Sequence, residues 1–206
     1  MYDFLFKFVI VGEQNTGKTT LLKKYLNSVI PTIGVDFIST DIILNSQTFR
    51  LHIWDTSGNL NFLNIIQIYL KSSIGAIIVF NLNDVNSFNC IDFWIQKINS
   101  LSSEYKKIIL IGTHHDLPRK ISNEMIHEKC FQYNLDYFET SHQFQIEHCF
   151  MKMINNIMID YKIKPKLFYN LEGIKSNLPQ NITIDYINFD DQNNNNDSCC
   201  QNCSIL

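Results

Sequence analysis

Hydrophobic residues along the chain occur in short, nearly continuous runs that alternate with segments of helical periodicity. The runs FLFKFVIV, GAIIVFN and KIILIGT lack strict alternation, which is typical of strands buried on both faces of a parallel sheet. The amphipathic segments between these runs predict helices. The predicted helices are Lys18 to about Leu26, Phe88 to about Leu101, Ser122 to about Tyr133 and Gln145 to about Lys162.

Two further runs, DFISTDIIL and TFRLHIWD, are separated only by the short polar turn NSQ and predict a β-hairpin. The hairpin adds one antiparallel edge strand, and DYFET predicts a short last strand. We therefore expect an α/β fold: a three-layer sandwich around a mostly parallel six-stranded sheet with one antiparallel edge strand.

The periodicity fades after Pro165, and NFDDQNNNND near the C-terminus is of low complexity. The pattern predicts one folded domain over residues 1–165 and a flexible tail over residues 166–206.

Composition narrows the function. The formal net charge of −3 and the pI of about 6.0 give no electrostatic basis for nucleic-acid binding. No run reaches the ~18 apolar residues of a spanning helix. The N-terminus lacks the basic start and cleavage site of a signal peptide, and Tyr2 excludes N-myristoylation.

The first strand runs into GEQNTGKTT, which fits the pattern G-x-x-x-x-G-K-[ST] from Gly12 to Thr19. Such a loop points successive N–H groups at phosphates, and the helix behind it adds its positive N-terminus. Gly17 lets the backbone come close, Lys18 reaches the β- and γ-phosphates, and the Thr19 hydroxyl binds Mg²⁺. A chance match in an ordinary strand–turn–helix is the alternative. The position after a buried strand favours a phosphate loop.

The hairpin's second strand, FRLHIW, ends in Asp55, and Gly58 follows in the pattern Asp-x-x-Gly. An acid at the tip of a neighbouring strand is what Mg²⁺ needs beside a phosphate loop, and the Gly58 N–H can reach the γ-phosphate. A solvated acid at a strand end is the alternative.

A later strand ends in LIGTHHDL, which places Asp116 at its tip. A carboxylate there can accept two hydrogen bonds from guanine, which adenine cannot donate, so it would discriminate between the two bases. The segment ETSHQ, Glu139 to Gln143, would add backbone contacts to the base oxygen. Taken alone, Asp116 could also be a helix cap or a turn residue.

With these motifs in place, the chain resembles the Ras-superfamily small GTPases, and within them the Rab family. PTIGVDF looks like the Rab switch I signature, and LHIWDTSG resembles LQIWDTAG. YLKSSIGAIIVFNLNDVNSF resembles the segment that follows switch II. LIGTHHDL and ETSHQ stand where the family has VGNKxDL and ETSAK. The resemblance covers roughly residues 4–162 and implies the G domain of the P-loop NTPases.

The resemblance implies a site for GTP or GDP with Mg²⁺. Thr32 of switch I would bind Mg²⁺ and sense the γ-phosphate, with Thr19 and Asp55 completing the metal site, and Thr20 would meet the α-phosphate. The implied nucleotide-binding residues are Gly12, Gln14, Asn15, Thr16, Gly17, Lys18, Thr19, Thr20, Thr32, Asp55, Gly58, Thr113, His114, Asp116, Ser141 and His142.

The resemblance further implies a monomeric switch in vesicle traffic. The γ-phosphate would hold two loops ordered, and hydrolysis would release them. Effector proteins, exchange factors and activating factors would be its partners, on the cytoplasmic face of endomembranes with a soluble cytosolic pool.

Asn59 stands where the family has the Gln that orients the attacking water. Asn is one methylene shorter, and a misplacement of about 1 Å can cost ~10²-fold in rate. We therefore expect slow or negligible hydrolysis. A pseudo-GTPase that acts as an interaction module is the alternative. A P-loop ATPase or kinase is disfavoured by Asp116.

Other departures affect the base and the switch. Thr113 and His114 replace the usual Asn and Lys, and His142 replaces a small Ala. His114 and His115 could suggest a metal pair, but adjacent side chains point apart, which favours surface histidines. The segment between Thr19 and Thr32 is several residues shorter than usual, which predicts weaker nucleotide retention or a shortened first helix.

The C-terminal CSIL fits C-a-a-X with Leu last, which favours geranylgeranylation of Cys203. Cys199 and Cys200 could carry a second lipid, because one chain anchors only marginally. A zinc cluster and unmodified thiols are the alternatives. Cys90, Cys130 and Cys149 are expected to be reduced thiols of the core.

Overall fold

The computed structural model describes residues 2–26, 34–101, 105–140, 143–164 and 174–176. The strands are β1 Phe4–Val11, β2 Val35–Leu44, β3 Gln47–Thr56, β4 Gly75–Asn81, β5 Lys107–Thr113, β6 Asp136–Glu139 and β7 Ile174–Ser176. The helices are α1 Lys18–Leu26, α2 Leu63–Ser72, α3 Val85–Asn89, α4 Ile91–Leu101, α5 Asn123–Tyr133 and α6 Gln143–Ile163, with a 3₁₀ turn at Leu60–Phe62.

The main path of the sheet has the order β2-β3-β1-β4-β5-β6. Its pairings are parallel except for β2, which runs antiparallel to β3 at the edge. The predicted sheet is therefore confirmed.

The hairpin turn between β2 and β3 is tighter than NSQ suggested. Of these three residues only Asn45 and Ser46 have positive φ angles, and Gln47 already pairs with Leu44. This is the two-residue turn whose twist suits antiparallel strands.

Side chains of β1 alternate between two hydrophobic cores. Phe4, Phe6, Phe8 and Ile10 enter the core that α1 and α6 cover. Val9 and Val11 face the core on the other side of the sheet, which α2, α3, α4 and α5 cover. Helices on both faces explain why the parallel strands are continuously apolar, and they confirm the three-layer sandwich.

Two helical segments differ from the sequence prediction. The helix expected from Phe88 begins earlier and is divided into α3 and α4. The Asp84 carboxylate starts α3 by accepting a 3.0 Å hydrogen bond from the Asn86 N–H. Helix α2 was not predicted. Only Ile66 and Leu70 of α2 are buried, so its apolar stripe is narrow.

Strand β7 lies beyond residue 165 and pairs antiparallel with β1, with Ile174 opposite Phe6 and Ser176 opposite Phe4. Strand β4 begins to pair with β1 only at Phe8, so β7 covers the backbone that β4 leaves open. A short part of the predicted tail thus belongs to the sheet, and the boundary at residue 165 stays a prediction. Within the described residues, no helix is long and apolar enough to cross a membrane.

Candidate functional site

The loop between β1 and α1 is built around the side chain of Lys18. The Lys18 Nζ donates hydrogen bonds to the Gly12 carbonyl at 2.9 Å and to the Glu13 carbonyl at 2.5 Å. The Thr16 hydroxyl donates to the same Glu13 carbonyl at 2.9 Å. These contacts turn the loop's carbonyls inward onto one ammonium group, so the loop encircles the lysine.

Lys18 is only 4% exposed, although its side chain is a cation. Burial lowers the pKa of Lys18 to about 8, while the nearby carboxylates of Asp55 and Glu13 act in the opposite direction. A buried ammonium held mainly by neutral carbonyls is incompletely compensated. It would therefore interact strongly with an anion placed at the loop.

Two glycines allow neighbouring backbones to meet at this loop. Gly12 has φ 141°, and a β-carbon there would lie 2.1 Å from the Val79 carbonyl oxygen of β4. Gly58 has φ 73°, and a β-carbon there would lie 2.5 Å from the Gly12 carbonyl oxygen and 2.6 Å from Lys18 Nζ. Any larger residue would force the strands or the loop apart.

Asp55 and Thr19 meet next to Lys18. The Thr19 hydroxyl donates to Asp55 Oδ2 at 2.5 Å, and Asp55 is 2% exposed at the end of β3. The next residue holds the strand end in place, because the Thr56 hydroxyl donates to the Ile10 carbonyl of β1 at 2.8 Å. A hydroxyl and a carboxylate side by side are oxygen ligands of the kind Mg²⁺ takes beside phosphates, so these residues fit the metal.

A pocket of about 270 Å³ opens at this place. It extends from the phosphate loop along the first turns of α1 to the segment after β3. Its lining residues are Asn15, Gly17, Lys18, Thr19, Thr20, Lys23, Thr56 and Ser57.

Thr113 connects the end of β5 to the phosphate loop. Its buried hydroxyl lies 2.7 Å from the Thr16 carbonyl, 3.0 Å from the Phe80 carbonyl and 2.9 Å from His114 Nδ1. A hydroxyl has one proton, so it donates to one carbonyl at a time and can accept from an Nδ1–H of His114. Thr113, which stands where the family has Asn, therefore still connects the two loops through its side chain.

His114 and Asp116 lie beyond Thr113 on the same loop. His114 has φ 58°, and its Cε1 lies 3.2 Å from where a β-carbon of Gly17 would stand. Asp116 and His115 are exposed. The described residues contain no group of three His, Cys, Asp or Glu side chains that could hold a metal.

The structure brings most predicted site residues to one edge of the sheet, because the carboxyl ends of β1, β3 and β5 meet there. Gln14, Asn15 and Thr20 are exposed on the loop and at the start of α1. Thr32, Ser141, His142 and Cys203 lie outside the described residues. Helix α1 extends to Leu26 as predicted, and weaker nucleotide retention stays a prediction.

The side chain of Asn59 is committed to a local hydrogen bond. Its Oδ1 accepts from the Asn61 N–H at 2.9 Å and thereby caps the 3₁₀ turn Leu60–Phe62. Asn is a preferred residue for such a cap, because its amide is one bond from Cβ. The shorter side chain thus has a structural role that was not evident from its alignment with Gln.

Sequence reasoning missed Lys23, Thr56 and Ser57 as lining residues of the pocket. Lys23 could have been found from helical periodicity, because it follows Thr19 by four residues and shares its face of α1. Thr56 and Ser57 lie inside the Asp-x-x-Gly pattern, whose unnamed positions were not considered.

Comparison with known proteins agrees with this geometry. The family model described as the Ras family matches residues 7–159. Ras-related protein RABD2b of Arabidopsis thaliana is 33% identical over 161 residues, which cover 74% of this chain and 80% of the relative. Ras-related protein Rab-30 of Homo sapiens is 33% identical over 147 residues, which cover 68% and 72%.

The chain is a divergent Rab member of the Ras superfamily. Members of this superfamily are GTPases that bind guanine nucleotide, generally with Mg²⁺.

In this Rab-family chain, a row of aromatic side chains lies beside the site, across β2, β3 and α2. Ring centroids of Phe37 and Trp54 are 5.8 Å apart, and those of Trp54 and Tyr69 are 5.4 Å apart. Phe37 is 51% exposed, which leaves the row open on one side.

Replacing Thr113 by Val should destabilise this Rab-family chain by about 1–3 kcal/mol, because buried carbonyl groups lose their hydroxyl partner. Thr113→Ser is the matched control, since it keeps the hydroxyl, and it should cost distinctly less. Urea unfolding of both variants under identical conditions measures the difference. Equal free energies of unfolding for the Val and Ser variants would show that the hydroxyl contact contributes nothing.

Proposed function

We propose that the chain is a guanine-nucleotide-dependent switch that binds GTP and GDP with Mg²⁺ and hydrolyses GTP slowly. The observation that carries this proposal is the 2.5 Å contact between Thr19 and Asp55 beside the buried Lys18. Three chemistries needed for a metal-bound phosphate converge there: a cation, a hydroxyl and a carboxylate.

In this proposal, the phosphate loop from Gly12 to Thr20 binds the phosphates through its N–H groups and through Lys18. The ammonium would exchange carbonyl partners for phosphate oxygens, which form stronger, charge-assisted hydrogen bonds. Gly58, already in close approach to Lys18, would offer its N–H to the terminal phosphate.

Thr19, Asp55 and Thr32 would hold Mg²⁺, with Asp55 acting through water. The bound metal neutralises charge on the phosphates. The chain's contribution is to present two oxygen ligands from different elements, α1 and β3, at one place. Thr32 lies outside the described residues, and its role rests on the resemblance.

Base recognition is proposed for the loop after β5. The exposed Asp116 would accept two hydrogen bonds from guanine, and His114 would lay its ring near the base from its position next to Gly17. Ser141 and His142 would complete this pocket. Thr113 would keep base and phosphate sites in register through its contact with Thr16.

We further propose a role in vesicle traffic through effectors, exchange factors and activating factors. The row of Phe37, Trp54 and Tyr69 supports a protein-binding surface, since exposed aromatics are enriched at interfaces. Ile65 and Ile68 of α2 are also exposed, at 45% and 66%. Membrane attachment through a geranylgeranyl group on Cys203 is part of this proposal, as is a monomeric state.

A second candidate is a hydrolysis-deficient pseudo-GTPase that acts as an interaction module. The specific observation in its favour is the cap formed by Asn59, whose carboxamide oxygen is engaged with Asn61. That bond fixes the orientation of the carboxamide, so redirecting its Oδ1 toward an attacking water would break the cap.

Calorimetric titration with GTP, GDP and ATP tests the leading proposal. We expect micromolar or tighter binding of both guanosine nucleotides, and weaker binding of ATP by at least ~10³-fold because Asp116 would face an unmatched base. Asp116→Ala should reduce this preference, whereas Glu128→Ala, an exposed acid on α5, should not. Equal affinity for ATP and GTP would refute the proposal.

Single-turnover GTP hydrolysis separates the two candidates. Intrinsic rates in this class are on the order of 10⁻⁴ s⁻¹, and we expect the wild-type rate to lie well below that. Asn59→Gln should raise the rate by about tenfold or more, because the longer side chain restores reach toward the water. Asn59→Asp keeps the cap acceptor without the amide donor and should stay slow. A wild-type rate equal to ordinary family members would contradict the role assigned to Asn59.

A further inference from the structure

The phosphate pocket contains a second lysine that the roles above do not use. Lys23 lines the same pocket as Lys18, Thr19 and Ser57. It is half-buried on α1, within the second turn of the helix. The other six lining residues carry no charge, so Lys18 and Lys23 provide the two positive charges of this surface.

Helix geometry places the two lysines on different faces of α1. Thr19 and Lys23 are separated by four residues, or about 40° around the helix, and share one face. Lys18 and Lys23 are separated by five residues, or about 140°. Because Thr19 contacts Asp55, the face that Lys23 shares is the one where the metal ligands lie.

Among the ion pairs between described residues, none involves Lys23. The buried acid of the site, Asp55, accepts the hydroxyl proton of Thr19 and interacts electrostatically with Lys18. A lysine in a pocket of hydroxyl groups is therefore available to an anion that enters from the metal side.

We propose that Lys23 is an additional phosphate-binding residue, which brings a second ammonium to the nucleotide's phosphates from the metal side and shares the charge-neutralising role of Mg²⁺. This inference rests on the proposed function, since it needs a nucleotide in the pocket. Its consequence is specific: nucleotide affinity should depend less on Mg²⁺ than it would without Lys23.

The test is the dissociation constant of a fluorescent GDP derivative, measured once with excess Mg²⁺ and once with EDTA. Lys23→Leu should weaken binding by about fivefold or more in EDTA, where no metal neutralises the phosphates, and by less than about twofold with Mg²⁺. Lys23→Arg keeps the charge and should stay within about twofold of wild type in both conditions.

Lys152→Leu is the matched control, because it removes a half-buried helical lysine on α6, outside the pocket. It should change neither constant. An equal loss for Lys23→Leu in both conditions indicates a structural role and overturns the proposal, as does no loss in either. If the wild type binds no guanosine nucleotide even with Mg²⁺, the proposed function itself fails, and the assignment of Lys23 fails with it.

Discussion

The arrangement of the site depends on a buried ammonium group. Lys18 is almost fully enclosed, and its partners in the loop are backbone carbonyls rather than a paired carboxylate. Burying a cation in this way costs free energy, which is why its pKa falls to about 8. The cost is tolerable because the carbonyls of Gly12 and Glu13 converge on it. The same arrangement would favour an anion bound at the loop.

The rest of the site is organised around this lysine by strand ends. Strand β3 brings Asp55 to Thr19, and Gly58 follows it into close approach with Lys18. Strand β5 brings the hydroxyl of Thr113 to the carbonyl of Thr16. Metal, phosphate and base recognition would then be linked by direct contacts, so that a change at one position can be transmitted to the others.

Much of this could be predicted from the sequence because the signals are local. The apolar runs predicted β1, β4 and β5, and the spacing from Gly12 to Thr19 singled out the loop that surrounds Lys18. Asp55 was singled out because an acid at the end of β3 interrupts an apolar run. Asp116 follows the end of β5 by three residues, and its role in binding the base stays a prediction. These features depend on neighbours within a few residues, and parallel topology then brings them together.

The features that were missed depend on tertiary contacts, on a weak apolar pattern, or on a residue that could have more than one role. Strand β7 pairs with residues about 170 positions earlier in the chain, and no local sequence pattern predicts such a pairing. Helix α2 buries only Ile66 and Leu70, and this apolar stripe is too narrow to give a clear helical periodicity in the sequence. The cap by Asn59 was hidden because the residue was compared with Gln as a catalytic side chain rather than considered for its own turn.

Proton uptake on GDP binding tests the central claim, that the nucleotide's phosphates bind the buried Lys18. Calorimetry in two buffers of different ionisation enthalpy measures it. Because the pKa of Lys18 is about 8 without nucleotide and phosphates favour the charged amine, uptake should rise with pH. We expect little uptake at pH 7 and a substantially larger fraction of a proton per GDP at pH 8.5. Uptake that does not change between these pH values would contradict the account.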